Sequence, residues 1–263
     1  MIQLRAFIFD VDGTLADTER DGHRVAFNCA FQDAGLDWHW DTELYGRLLA
    51  VGGGKERIKY YCDNFIADPD VQAYWTPEKI RELHATKTTH YTGLLDRGEI
   101  PLRPGIERVI EEARRHGVRL AIASTTTPVN VTTLLANSFG EEAPTWFEVI
   151  AAGDDVPAKK PAPDIYFLTL GKMGLPPDAC LAFEDSQSGL RAARAAGLRT
   201  VVTVTEYTRW QDLGAADLVV DHLGESTLPF RLLPSNADYD RAQESVGDAT
   251  MFDLALGERL LAA

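Results

Sequence analysis

A chain of 263 residues, 45% hydrophobic and 25% charged, has the makings of one large globular domain or of a core with a smaller insert. Its net charge of −14 argues against nucleic acid or an anionic membrane as the main partner, because either needs a basic footprint. Cys29, Cys62 and Cys180 stand far apart and suggest neither a zinc motif nor a disulfide framework. No apolar run approaches the ~20 residues of a membrane span, and the N-terminus enters a strand with no basic leader. The protein is expected to be cytoplasmic and monomeric.

The apolar run from Leu4 to Phe9, broken by one Arg, predicts a buried strand. It ends on two carboxylates, Asp10 and Asp12, followed at once by Gly13. Asp17-Thr18-Glu19 then reads as a helix start, with Gly35 as the cap that ends the helix. From residue 17 to residue 95 the pattern is helical and holds no convincing buried strand. Helices are expected over Tyr45–Leu49 and Glu56–Phe65, separated by Val51-Gly52-Gly53-Gly54, and again from Thr76-Pro77-Glu78.

The pattern changes at Arg103-Pro104-Gly105. A helix runs to His116, and a strand over Val118–Ala123 delivers Ser124 and Thr125. A second helix follows Pro128, and a short strand covers Phe147–Ala152. Lys159-Lys160-Pro161-Ala162-Pro163 is a loop opening a helix. A strand over Ala179–Phe183 delivers Glu184-Asp185, with Ser186 capping the next helix. Thr200–Val204 and Leu218–Val220 are the last strands, and a final helix is expected near Met251–Leu261. Strands alternating with helices imply a parallel sheet. The domains are read as residues 1–16 plus 96–263 for an α/β core and 17–95 for a helical insert.

Three strands thus end in reactive groups: Asp10/Asp12, Ser124/Thr125 and Glu184/Asp185. Lys160 sits in a fourth loop. Parallel strands would bring all of these to one rim. Acid pairs meeting there repel unless a cation lies between them, and their hard oxygens suit Mg²⁺.

Asp-Val-Asp-Gly-Thr at 10–14, Ser124 after its strand, Lys160-Pro161 and Glu184-Asp185 resemble, in order, the four motifs of the haloacid dehalogenase superfamily. The resemblance implies a Rossmann-like parallel-sheet core with an inserted all-helical, C1-type cap. It also implies Mg²⁺-dependent phosphoryl transfer through an aspartyl-phosphate. Asp10 would be the nucleophile and Asp12 the acid and base. Ser124 would hold phosphoryl oxygens and Lys160 would neutralise charge. Asp10, Asp185, Glu184 and the Asp12 carbonyl would serve the metal.

The insert must then select a small sugar phosphate. Glu19 and His23 lie four apart, on one helical face. Gly53-Gly54-Lys55 resembles half a P-loop, but Glu56 stands where a Ser or Thr should follow. Its backbone and Lys55 are expected to approach an anion. Together with Asp17-Thr18-Glu19, Gly53–Ile58 and Lys160–Tyr166, these residues look like the CbbY branch. That branch is related to β-phosphoglucomutase and includes phosphatases of xylulose-1,5-bisphosphate. Lys55 and Arg57, with His23 and Lys87, would bind a remote phosphate, and Thr125 would stand beside the reacting one. A phosphosugar mutase on the same scaffold is the main rival. A non-catalytic phospho-acceptor module of the receiver type is a distant one, since it needs no cap and no acid/base at Asp12. A dehalogenase has no use for Asp12 and Glu184-Asp185 as metal sites.

Overall fold

The computed structural model describes residues 3–51, 53–153, 155–234 and 239–263. The chain divides into two compact units, Met1–Asp17 with Pro101–Ala263, and Thr18–Ile100. The insert therefore begins one residue later and ends five residues later than the sequence pattern suggests. Its last helix stops at Asp96, but the four residues after it stay with that helix: the N–H groups of Arg97, Gly98 and Glu99 bond back to the carbonyls of Gly93, Leu95 and Leu94.

The core unit holds six parallel strands: β1 (Ala6–Phe9), β2 (Arg119–Ser124), β3 (Phe147–Ala152), β4 (Cys180–Glu184), β5 (Arg199–Thr203) and β6 (Leu218–Val220). Their spatial order is β3-β2-β1-β4-β5-β6. The chain works outward from β1 to β3, then crosses back to β4. The strand order therefore reverses beside β1, the place where open α/β sheets bind their ligands.

Register fixes what meets there. Phe9 pairs with Ile122 on one side and Phe183 on the other. One residue further, Asp10 comes level with Ala123 and Glu184, and its N–H donates to the Phe183 carbonyl at 2.9 Å. Alternation along β1 sends Ala6 and Ile8 to one face, where they pack with Ile165, Tyr166, Ala192 and Ala193. These residues come from two helices, Asp164–Met173 and Gln187–Ala195. Phe7 and Phe9 point to the other face, where Phe7 and Phe183 meet Phe252 edge-on.

The helical unit opens on a π-helical turn, Thr18–His23, which runs on into α1 (Arg24–Asp33). It continues through α2 (Thr42–Leu48), α3 (Gly54–Phe65), α4 (Pro69–Tyr74) and α5 (Pro77–Asp96). Its centre is aromatic: Phe27, Phe31, Trp40, Tyr45 and Tyr61 are buried against one another. The helix start expected at Asp17-Thr18 is real but begins as this π turn. Helix α4 was missed because its six residues bury nothing and so leave no periodic stripe.

The core's remaining helices are α6 (Ile106–Arg115), α7 (Pro128–Phe139), α8 (Asp164–Met173), α9 (Gln187–Ala195), α10 (Tyr239–Val246) and α11 (Leu254–Ala262). Helix α11 packs on α6 and β4, so the C-terminal stretch completes the second face of the sheet. Arg108 ties it down, donating to the carbonyls of Phe252 at 2.7 Å, Leu223 at 3.0 Å and Gly224 at 2.9 Å. No helix among the described residues is long and apolar enough to cross a membrane.

Candidate active site

Lys160 is the hub of the core site. Its Nζ donates to Asp10 Oδ1 at 2.7 Å, to the Ala123 carbonyl at 2.8 Å and to Glu184 Oε1 at 2.6 Å. Three donors thus meet three acceptors in a buried setting, and the ammonium holds the ends of β1, β2 and β4 together. Burial alone would push the Lys160 pKa down. The carboxylates of Asp10 and Glu184 reverse the sign, so it is raised and the ammonium keeps its proton.

Glu184 also accepts from the Tyr166 hydroxyl. Burial, then the charge of Glu184, holds the Tyr166 pKa well above the ordinary value, so that hydroxyl stays a donor. Ligand oxygens of Asp10, Glu184 and Asp185 lie within 4.8 Å of one another, all three residues buried. Burial pushes Glu184 up to about 7 against the pull of Lys160, with Asp10 adding to the rise. Asp185 is raised well above the carboxylate range by burial, then by Asp10 and Glu184. Three crowded acids with one lysine are short of positive charge. A small hard cation fits this all-oxygen set and this deficit.

Two glycines make room for the acids. Gly13 has φ +85°, and a Cβ there would overlap the Asp185 carboxylate. A Cβ on Gly189, in α9, would overlap the Glu184 carboxylate. Asp12 is half-buried in the turn between them, where Leu15 N–H donates to the Val11 carbonyl at 2.9 Å. Its side chain is not among the three carboxylates that converge. Ser124 is buried at the end of β2, and its hydroxyl accepts from Thr126 N–H at 3.3 Å. Thr125, beside it, is exposed.

The residues expected in the helical unit form two groups. Glu19 accepts from the Tyr45 hydroxyl at 2.5 Å, and that hydroxyl accepts from Arg57 Nη1 at 2.8 Å. Arg57 is buried and also donates from Nε to the Leu48 carbonyl at 3.2 Å. It therefore braces Glu19 from within the unit. In the second group, Lys87 Nζ lies 2.8 Å from His23 Nδ1, and the His23 ring stacks on Tyr91 at 3.9 Å. Burial, then Lys87, Arg57 and His84, lowers the His23 pKa well below its ordinary value. A neutral His23 accepts at Nδ1 from the lysine and carries its proton on Nε2.

Gly53, with φ +89°, and Gly54 open α3, and Gly54 lies where a Cβ would strike His84 and Phe27. Gly52 of the same loop lies outside the described residues. Lys55 lines a groove with Val51, Glu56, Lys59, Tyr60 and Pro77. It also bears on His84, whose pKa is lowered by burial, then by Lys87 and Lys55. Tyr45, Tyr91, His84 and Tyr166 are site neighbours that sequence reasoning missed. Nothing in their spacing distinguishes them from packing residues.

Comparison with known proteins agrees with this geometry. The family model for haloacid dehalogenase-like hydrolases matches residues 4–197. The CbbY protein of Rhodobacter capsulatus is 51% identical over 216 residues, spanning 82% of this chain and 92% of its own. A crystal structure of the D10N mutant of CbbY from Rhodobacter sphaeroides, in complex with xylulose-1,5-bisphosphate, is 46% identical. Its TM-score is 0.70, covering 86% of this chain and 98% of that one. A β-phosphoglucomutase from Clostridium difficile shares the fold at 22% identity and TM-score 0.60, over 84% of this chain and 92% of that one. The chain belongs to the haloacid dehalogenase-like hydrolases, in their CbbY-like branch, and is an enzyme of the phosphatase type.

Proposed function

We propose that the protein hydrolyses a five-carbon sugar bisphosphate, xylulose-1,5-bisphosphate first among them, to the monophosphate. The observation that carries this reading is the Asp10–Lys160–Glu184 array, joined by Asp185, at the reversal of strand order. The D10N relative in complex with that bisphosphate supports the choice of sugar. The mutase reading is not favoured, since the CbbY relatives are about twice as similar in sequence to this chain as the β-phosphoglucomutases are.

A carboxylate approaching a phosphate oxygen at ~3 Å, with an effective dielectric of ~20, meets about 5 kcal/mol of repulsion per unit pair. Lys160 offsets part of it and aims Asp10 Oδ1. Mg²⁺, which Asp10, Asp185, Glu184 and the Asp12 carbonyl would hold, supplies the remaining positive charge when bound. Asp10 attacks phosphorus while the bond to the sugar oxygen breaks, and Asp12 gives that oxygen its proton. Water then attacks the aspartyl-phosphate, Asp12 takes its proton, and inorganic phosphate leaves with Asp10 regenerated. Ser124 and nearby amides hold the transferring oxygens.

In the helical unit, the cations Lys55 and Lys87 stand with two neutral imidazoles, His23 and His84, in a chain of net charge −14. We assign this group, with Glu19 braced by Tyr45 and Arg57, to choosing the substrate, the cations for its remote phosphate and Glu19 for its hydroxyls. The protein is read as a cytoplasmic monomer; its three free thiols suit a reducing compartment.

The test is phosphate release with Mg²⁺ from xylulose-1,5-bisphosphate, ribulose-1,5-bisphosphate, 2-phosphoglycolate and β-glucose-1-phosphate. A strong preference for xylulose-1,5-bisphosphate is expected. No release from any, with β-glucose-1-phosphate converted to the 6-phosphate when glucose-1,6-bisphosphate primes it, would overturn the reading in favour of a mutase.

A further inference from the structure

The chain re-enters the core unit at Pro101, and two residues later Arg103 stands against the turn that carries Asp12. The main chain makes the first contact. Arg103 N–H donates to the Leu15 carbonyl at 2.8 Å, Leu102 bridges to Ala16, and Ala16 bridges in turn to Asp12.

The side chain makes the second. Nη1 donates to the Gly13 carbonyl, to the Thr203 carbonyl at 2.7 Å and to the Thr203 hydroxyl at 3.0 Å. Nη2 donates to the carbonyls of Val204 and Asp221, each at 2.6 Å. One planar group thereby fastens the turn at residues 11–16 to the ends of β5 and β6. The Arg103 charge also reaches Asp185, where it opposes the other two acids.

The need for such a fastening follows from Gly13. No side chain fits there beside Asp185, so the position must be glycine. Glycine is the residue least able to hold its own backbone angles. Within the turn, Gly13 N–H donates to the Ala16 carbonyl at 2.7 Å, and the peptide that follows Gly13 is held from outside by the Arg103 grip on the Gly13 carbonyl.

We infer that Arg103 is a positioning residue for proton transfer: by holding the Gly13 carbonyl to the ends of β5 and β6, it aims the Asp12 carboxyl at the leaving oxygen. This rests on Asp12 being the acid and base. When Asp10 attacks, the bond from phosphorus to the leaving oxygen breaks. An alkoxide needs the Asp12 proton at that moment, whereas 4-nitrophenolate departs without it. A merely structural loss lowers both reactions alike.

The experiment measures kcat/KM, which reports the steps through release of the alcohol, for xylulose-1,5-bisphosphate, phenyl phosphate and 4-nitrophenyl phosphate. Arg103→Lys keeps the charge but cannot span the five acceptors. It is expected to lose about 30-fold on the bisphosphate, about 10-fold on phenyl phosphate and under about 3-fold on 4-nitrophenyl phosphate. Asp12→Asn is run on the same series, and adding Arg103→Lys to it should cost the bisphosphate little more.

Equal losses across the series for Arg103→Lys, with a graded loss for Asp12→Asn, would overturn the role of Arg103 alone. Equal losses for Asp12→Asn would overturn the acid/base reading beneath it. Should Arg103→Lys fail to fold, Thr203→Val removes one acceptor of the guanidinium. The same grading, compressed to about 3-fold, is expected, and a flat response sinks the inference.

Discussion

The core rim and the polar groups of the helical unit use the same residue types to opposite ends. At the rim, acids outnumber bases: Asp10, Glu184 and Asp185 share Lys160. In the helical unit, bases crowd one another, and burial, then the neighbouring lysines, lowers the pKa of His23 and His84. The first arrangement is short of positive charge and the second of negative. A cation suits one and a phosphate the other.

Breaking the rim should have the largest effect, and should not depend on the substrate. Asp10→Asn is expected to lower kcat about 10,000-fold or more on every phosphate ester while the protein stays folded by circular dichroism. Activity near the parent level would remove Asp10 as nucleophile.

Lys160→Met leaves buried acids uncompensated, so a loss of about 3 kcal/mol in urea unfolding is expected without metal. Added Mg²⁺ should recover part of it. A variant as stable as the parent would show that the acids are not ionised together.

Lys55→Ala in the helical unit should raise KM for the bisphosphate about 10-fold and leave that for 4-nitrophenyl phosphate unchanged. Equal changes would take Lys55 out of substrate selection.

The smallest expected effect is a pH dependence of metal stabilisation. Glu184 and Asp185 have raised pKa values in the folded protein, so between the ordinary carboxylate range and about pH 7 the folded state binds more protons than the unfolded one. Stability of the metal-free protein then falls as pH rises through that window. Mg²⁺ relieves that cost, so its upward shift of Tm should be larger at pH 8 than at pH 5.5 by a few degrees. A larger shift at pH 5.5 would mean that the three acids are not where the metal binds.

The two regions also differed in how far the sequence revealed them. Each strand of the core is a short apolar run with a reactive residue at its end. Asp10, Ser124, Glu184 and Asp185 could therefore be placed on one rim from order alone. The β3 and β6 ranges match their expected spans residue for residue. The helical unit showed its helices, α4 excepted, but not its wiring. Tyr45 and Tyr91 look like core aromatics in the sequence; that they grip Glu19 and stack on His23 depends on helix packing that no local pattern encodes. Tyr166 was hidden in the same way, because it is at once a core residue of α8 and the donor to Glu184. Arg57, expected to meet substrate, spends its donors on Tyr45 and the Leu48 carbonyl, and burial is not written in residue type. Helix α10 was missed because its eight residues are too few to set a periodic stripe apart in the sequence.

The edge-on packing of Phe252 against Phe7 and Phe183 sets an order of events during synthesis. Strand β1 precedes all of its partners in the chain. It waits for β2 more than a hundred residues later, for β4 more than sixty beyond that, and for Phe252 and α11 about seventy beyond β4. Throughout that interval the centre of the sheet has one side open, and pairings this distant in sequence form slowly. The helical unit lies within Thr18–Ile100 and can fold while the core waits. A nascent chain stalled before Met251 would carry a finished insert on an unfinished core, with the Phe7 side of the sheet exposed to chaperones.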